Sequence, residues 1–443
     1  MNDLIIWGDS MDYDLLILGA GAAGLRAADL LEKSKQRIGI LEARDRIGGR
    51  IHTVSSHASN SSHPSYPVDL GAEFIHGRPP QTEKLLKEAN ILSYDVTDRH
   101  HFLSGQRLAE NCRFWPQIQQ VMSRLPAPDA EDVTFDKFLS HQKSLSSQTR
   151  RYARDFIRGF DAADTSKIGV AGLSLAEAEA EKMDGDALLR PLGGYHGLIA
   201  FLAQRIKQRG VRIHLNTIVK QIEWSRAGCQ VSAVINGREK TFSAKKILIT
   251  LPVGVLKSGS IRFAPEVKGL SESLAGQEMG PVVKIIFHFK QAFWEERELE
   301  DLSFMHAPGK FFPTWWTQLP LRIPILTGWA GGPMAEELGK FSDGQIRDAA
   351  MKTLAKCFAT SRGWLARRIE KAWIANWPAD PFSRGAYSYI NAGGLPGAQR
   401  FHRLGENILF FAGEHAYPAL AGTIAAALAS AEGAASQILD STR

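Results

Sequence analysis

The sequence predicts an α/β protein in which one dinucleotide-binding fold is assembled from three stretches of chain, with two insertions building a second, α+β domain. Three observations carry this. A short apolar run, Leu15-Leu16-Ile17-Leu18, enters a glycine-rich turn, Gly19-Ala20-Gly21-Ala22-Ala23-Gly24, and a helical pattern leaves it. A second strand, Arg37–Leu41, ends at the acidic residue Glu42. Strand-and-glycine patterns of the same type return at Lys246–Leu251 and at Ile408–Ala412, far along the chain.

The first run is apolar without alternation, as a parallel strand buried on both faces requires. Leu25–Lys33 then reads as a helix, and the unit closes as βαβ. Beyond it, Ser55–Ser65 (SSHASNSSHPS) is polar and of low complexity; its histidines, His57 and His63, fit a solvated surface loop better than a metal site. Residues 80–190 read as largely helical. Val211–Leu215, Thr217–Trp224, Gln230–Ile235 and Lys246–Leu251 read as short strands separated by turn signals. Val282–Phe289 and Arg322–Trp329 are further strands, Asp343–Cys357 is a helix, and a terminal helix starts near Gly422. These patterns place the dinucleotide domain in residues 11–79, 191–260 and 366–443, and the second domain in residues 80–190 and 261–365.

Composition excludes several function classes. A chain of 443 residues exceeds the roughly 150 expected of one domain. The net charge of +6 arises from 53 basic and 47 acidic residues spread along the chain, with no basic tail, so nucleic acid is not an expected partner. No apolar run reaches the roughly 18 residues of a membrane helix, and the N-terminus shows no signal peptide; Met11 is an alternative start. Three scattered cysteines, Cys112, Cys229 and Cys357, suit reduced thiols and a cytoplasmic location. No metal site is expected.

The glycine turn has a defined chemistry. Gly19 permits the tight turn, Gly21 lets backbone approach a pyrophosphate, and Gly24 lets helix and strand pack closely. The helix start, including Ala23, offers unpaired N–H groups and a positive dipole end to phosphate. Glu42, about twenty residues on, accepts hydrogen bonds from ribose hydroxyls. Past Glu42-Ala43-Arg44 the chain adds Gly48-Gly49-Arg50, suited to a longer cofactor whose second half needs close backbone approach and an arginine.

The segment ILEARDRIGGR resembles the FAD fingerprint of the flavin-containing amine oxidase superfamily, nearest in motif to polyamine oxidases and the lysine-specific histone demethylase core. DLGAEFIHG (Asp69–Gly77), TLPVGVLK (Thr250–Lys257), WPADPFSRGAYSY (Trp377–Tyr389) and LFFAGEHAYPALAGTIAAAL (Leu409–Leu428) resemble further motifs of that family, in order. The resemblance implies an FAD-binding Rossmann-like (GR2-type) domain. It also implies an amine oxidised to an imine, hydrolysis to an aldehyde, and O2 reduced to hydrogen peroxide. Gly71, Ala72, Glu73, Val219, Pro252, Trp377, Gly413, Glu414, Thr423 and Ile424 would line the cofactor. Lys284 would hold a water beside flavin N5, or else is a strand-edge lysine reaching solvent. Tyr387 would wall the substrate cavity, with Thr423 where monoamine oxidases carry the second aromatic of a cage. Ala386 stands where those enzymes have a flavin-linked cysteine, which implies non-covalent FAD.

His76 reads equally as a polar loop residue and as a proton acceptor for an incoming ammonium, while Glu73 would attract a cation. Arg78 leaves a second enzyme class open, because an arginine there suits a carboxylate and hence an L-amino-acid oxidase or related monooxygenase. A histone-demethylase subunit and a carotenoid-type desaturase fit less well. The aromatic stretch Phe311–Trp316 either lines the entry or packs in the core.

Overall fold

Strand Arg238–Ile249 organises the molecule. In a computed structural model that describes residues 11–31, 36–57, 65–105, 107–111 and 113–441, it pairs in parallel with Tyr13–Leu18 on one side and with Leu409–Phe411 on the other. Leu18 and Phe411 both register against Ile249. Three strands from distant parts of the chain therefore end at the same level, and their following loops converge. This is the carboxyl edge where an open α/β sheet binds its ligand. The sheet extends through Ile38–Leu41 to Arg212–His214, and through the antiparallel strands Gly228–Ile235 and Thr217–Ser225 to Arg262–Ala264. Helix Ala22–Leu31 begins closer to the turn than the sequence suggests and packs between His196–Gln208 and the terminal helix Ile424–Asp440.

A second sheet runs in the order Ile369–Asn376, Val282–Phe289, Ile325–Gly331, Thr314–Trp316, Phe304–His306, His100–Ser104, Arg107–Glu110. Two expectations need correction. Residues 80–190 contain strands as well as helices, because His100–Ser104 and Arg107–Glu110 form the far edge of this sheet. Ile369–Asn376 belongs with the insertions rather than with the dinucleotide fold, since it pairs along the whole of Val282–Phe289. Conversely, Arg262–Ala264 extends the first sheet beyond the expected boundary at residue 260. The chain thus crosses between the two sheets after Ala264 and after Asn376, later in each case than the expected boundaries.

The stretch Phe311–Trp316 divides by strand alternation. Trp315 is fully buried and stacks on Phe287, whereas Trp316 faces the cavity described below. His57 is half-buried with its ring against His288, so the solvated-loop reading fails for it; His63 and Cys112 lie outside the described residues, as do Met1–Ser10.

Gly24 is the least replaceable position of the turn. A Cβ there would stand 2.0 Å from the Gly19 carbonyl oxygen. Gly24→Ala is expected to cost about 3 kcal/mol by forcing helix and strand apart, and to lower FAD content in the same preparation. Thermal unfolding and flavin absorbance of the purified variant check both.

Candidate active site

One cavity of about 1890 Å³ runs from the glycine turn to the face of the second sheet. Single-ligand pockets usually measure about 300–1,000 Å³, so this one has room for a long cofactor and a substrate together. Gly19, Gly21, Ala23, Glu42, Ala43, Arg44 and Gly49 line its first end. Gly24 does not; it acts behind the turn, where the contact with Gly19 sets the packing.

Here the backbone holds its own acid in place. Glu42 Oε2 accepts from Ala20 N at 2.8 Å and Oε1 accepts from Arg44 N at 2.9 Å, which fixes the carboxylate at the turn. Arg44 is clamped by Asp380, with Nη1 and Nη2 at 2.7 and 2.8 Å from its two oxygens. Gly48 and Gly49 both have positive φ. Arg50 donates through Nη1 to Glu414 Oε1 at 2.7 Å and to Ala386 O at 2.9 Å. Glu414 also accepts from Ser388 Oγ and Gly422 N, so burial, which raises its pKa, is outweighed by Arg50 and it stays ionised. Val219, Pro252, Trp377, Gly413 and Ile424 line the middle of the cavity.

These features fit FAD: a glycine turn against a helix start, an oriented acid at ribose distance, and a cavity continuing past Gly49 and Arg50. Cys229 and Cys357 are buried away from the cavity, and Ala386 lines it, in agreement with non-covalent binding.

At the far end lies a buried charge network. Lys284 is 1% exposed and donates to Glu73 Oε2 at 2.7 Å, Asp69 O at 2.5 Å and Gly71 O at 3.3 Å. The strand-edge reading is therefore excluded. An ammonium has three donors, and all three are engaged; holding a water would require Lys284 to release Gly71 O, its longest bond. Glu73 Oε1 is met by Arg190 Nη2 at 3.0 Å, Trp316 Nε1 at 2.9 Å and Gln318 Nε2 at 3.3 Å. Burial raises the Glu73 pKa, but Lys284 and Arg190 together hold it down at about 2. With two cations already on it, Glu73 is a structural carboxylate and not an attractor for substrate. Asp69, beside it, goes the other way: burial and the Glu73 charge push its pKa up to about 7.

The substrate side is built from other groups. Tyr387 donates to Phe160 O at 2.5 Å and stacks on Trp329 at 6.4 Å between centroids and 17° between planes. Thr423 is no cage residue: its hydroxyl caps the terminal helix, accepting from Ala426 N at 3.0 Å and donating to Leu420 O at 2.8 Å. His76 sits edge-on to Phe160, with 5.2 Å between ring centroids, and burial lowers its pKa to about 4. Its ring is exposed to solvent and lines the cavity. A neutral imidazole accepts a hydrogen bond there, but it is too weak a base to keep a proton at neutral pH. Arg78 is held by Asp95, Asp184 and Glu83 at 3.1, 3.4 and 3.7 Å and does not line the cavity.

Sequence reading missed Arg190, Gln318, Phe160, Asp161 and Glu177, and named Trp316 only as part of an undecided aromatic run. Asp161 and Glu177 line the cavity near Tyr387, and among the described residues neither makes a salt bridge. Burial and the Glu177 charge raise the Asp161 pKa to about 7; burial and the charges of Glu181 and Asp186 raise that of Glu177. No motif signals them, since helices Ser147–Phe160 and Val170–Ala180 carry ordinary surface-like charge.

Residues 22–439 match the family model described as flavin containing amine oxidoreductase. Polyamine oxidase 3 of Oryza sativa subsp. japonica is 26% identical over 449 residues, covering 92% of this chain and 85% of that protein. Putrescine oxidase bound to putrescine superposes with a TM-score of 0.78 at 19% identity, covering 97% of this chain and 99% of that one. Cyclohexylamine oxidase from Brevibacterium oxydans IH-35A gives 0.77 at 19% identity with the same coverage. The structural likeness carries the fold.

Glu73 provides a stability prediction with a definite sign. Its folded pKa of about 2 lies below the ordinary value of 4.5, so its contribution is present above pH 4.5 and is lost as pH falls from 4.5 towards 2. That contribution is about 3 kcal/mol. Denaturant titrations of wild type and Glu73→Gln between pH 3 and 7 should show the acid-limb slope reduced in the variant. The variant should also be about 3–5 kcal/mol less stable at pH 7, because Lys284 and Arg190 are left facing each other.

Proposed function

The chain belongs to the flavin containing amine oxidoreductases, and from that membership we propose that it oxidises an amine carrying a second cationic nitrogen, a di- or polyamine. When bound, FAD supplies the acceptor for the hydride equivalent that leaves the amine α-carbon. The chain's own residues do the rest. Tyr387 and Trp329 form a flat wall that orients the α-carbon in a site closed to water. Lys284, tied to Asp69 O and Gly71 O, holds the loop Asp69–Glu73 rigid beside the cavity, and is proposed to take a water in place of Gly71 O during turnover. His76, as a neutral imidazole, accepts a hydrogen bond from the amine nitrogen. Release of an aldehyde, reoxidation by O2 with formation of hydrogen peroxide, and a reducing cytoplasmic setting for the buried thiols complete the reading.

The observation that carries the polyamine assignment is the pair Asp161 and Glu177. Both line the cavity and make no salt bridge among the described residues; burial first, then repulsion from Glu177 on Asp161 and from Glu181 and Asp186 on Glu177, raises their pKa values, and a second ammonium group offsets that repulsion. A substrate carboxylate would increase it. With Arg78 engaged elsewhere, the amino-acid oxidase reading has no arginine of its own choosing left in this loop.

Anaerobic reduction of the bound flavin by spermidine, putrescine, cyclohexylamine and L-amino acids tests the class. Spermidine or putrescine should bleach it fastest; bleaching by amino acids alone would overturn the proposal. Asp161→Asn combined with Glu177→Gln should raise KM for spermidine about tenfold or more, the effect of losing about 1.4 kcal/mol of binding. Its kcat should change by less than about threefold, and KM for cyclohexylamine should stay near wild type. Because Asp161 ionises near pH 7, wild-type kcat/KM for spermidine should rise between pH 6 and 8, and Asp161→Asn should flatten that rise.

A further inference from the structure

Strand Val282–Phe289 presents Lys284, Ile286 and His288 on one face, two residues apart. The hairpin Thr53–Ser55 and Pro67–Asp69 lies over that face. Lys284 bonds Asp69 O, Ile286 packs on Val68, and His288 meets the rings of Tyr66 and His57. The near end of the hairpin is thus fixed by the active-site lysine. The far end carries a different chemistry.

There, His57, His288 and Glu370 each offer one donor atom, and these atoms lie within 4.8 Å of one another. His288 Nδ1 is 3.5 Å and His57 Nε2 is 3.8 Å from Glu370 Oε2. These separations are long for hydrogen bonds. They are close to the spacing of about 3.3–3.5 Å that metal–ligand bonds of about 2.0–2.1 Å impose on the corners of a tetrahedron. His288 is 2% exposed, and its Nδ1 has no hydrogen-bond partner. A buried, unpartnered ring nitrogen is costly in a native fold unless something occupies the space before it.

Two local features aim the other ligands. The pairing of Val282–Phe289 with Ile369–Asn376 shifts register between His288 and Phe289, His288 facing Lys371 and Phe289 facing Ile369. Glu370 is the extra residue of this bulge, and bulges redirect side chains. His57 Nδ1 lies 3.2 Å from Ser56 Oγ, which accepts from Tyr66 N at 2.9 Å. Ser56 thus holds the ring by its Nδ1 edge, with Nε2 on the Glu370 side, as outer-shell partners commonly orient a metal-bound histidine. The nearby cation Lys371 is directed onto Ser56 O and the Trp373 ring.

We propose that His57 Nε2, His288 Nδ1 and Glu370 bind one divalent transition-metal ion of the zinc class, with water at a fourth position. The ligand set, two imidazoles and a carboxylate, suits zinc and not magnesium or calcium. The ion clamps the far end of the hairpin whose near end touches Lys284. It lies outside the cavity, since none of the three ligands lines it.

The test uses the untagged, FAD-loaded full chain, stripped with a chelator and dialysed. Calorimetric titration with ZnCl2 should show one equivalent bound, and metal analysis after gel filtration should retain it. Zn²⁺ should raise Tm by about 2 °C or more at saturation, and Mg²⁺ should not. Glu370→Gln, at an exposed position, and His57→Ala should each weaken binding at least tenfold while flavin content and circular dichroism stay unchanged. Cobalt difference absorption at wavelengths beyond the flavin bands gives a second readout of four-coordinate binding. No saturable site near one equivalent, or wild-type affinity in both variants, overturns the proposal.

Discussion

Glu73 sits where three parts of the chain meet, and its charge is what ties them together. The loop carrying it follows the cofactor-binding unit, Lys284 comes from the strand next to one edge of the second sheet, and Arg190 comes from the strand Leu188–Pro191 that pairs with both Ile75–His76 and Ser93–Asp95. A buried carboxylate between two buried cations is stable only if every partner stays in place. Trp316 and Gln318 use the oxygen that Arg190 shares. Arg190 is in turn set by Thr317 O and Leu319 O and by the face of Phe74 at 4.5 Å. The loop Asp69–Glu73 has no room to relax: a Cβ on Gly71 would stand 1.8 Å from Arg50 O. Arg50 belongs to the cofactor end, and Lys284 to the substrate end. The network therefore sets the spacing between them.

The same constraint explains why the cofactor motifs could be found in sequence while the substrate groups could not. Gly19, Gly24, Glu42 and Gly413 act through backbone geometry, which restricts residue type and leaves a recognisable local pattern. Lys284 was legible for a related reason, as a single charge inside an apolar strand. Arg190 carries no such mark, because it closes a stretch that reads as largely helical and only tertiary packing buries it. Asp161 and Glu177 follow or lie within helices rich in exposed charge, so the cavity that makes them different is invisible along the chain. The misplaced boundary at residue 366 has the same origin. IEKAWIAN has the partial exposure of an edge strand, and nothing local says which sheet it joins.

Glu73 and Thr423 show the converse error, in which the right position was given the wrong task. Both lie at the cavity, as the motifs implied. Proximity does not determine what a polar group does; its remaining hydrogen-bond capacity does. Glu73 Oε1 and Oε2 are taken by cations and amides, and the Thr423 hydroxyl both donates and accepts within its own helix cap. A residue whose polar atoms are engaged in this way acts first by positioning its neighbours.

Applied to the whole cavity, that criterion gives it a direction. At the glycine turn, Arg44 and Arg50, each paired with a single acid, stand beside the helix starts at Ala22 and Ile424, so the field favours anionic phosphates. Near Tyr387 the balance reverses, because Asp161 and Glu177 face the same space with no salt bridge among the described residues. The cavity thus has helix N-termini at one end and carboxylates without a salt bridge among the described residues at the other, with the Lys284–Glu73–Arg190 network, two cations on one carboxylate, beside it. On the proposed di- or polyamine reading, this arrangement would draw the cofactor phosphates to the helix starts and the second ammonium of the substrate to the carboxylate end.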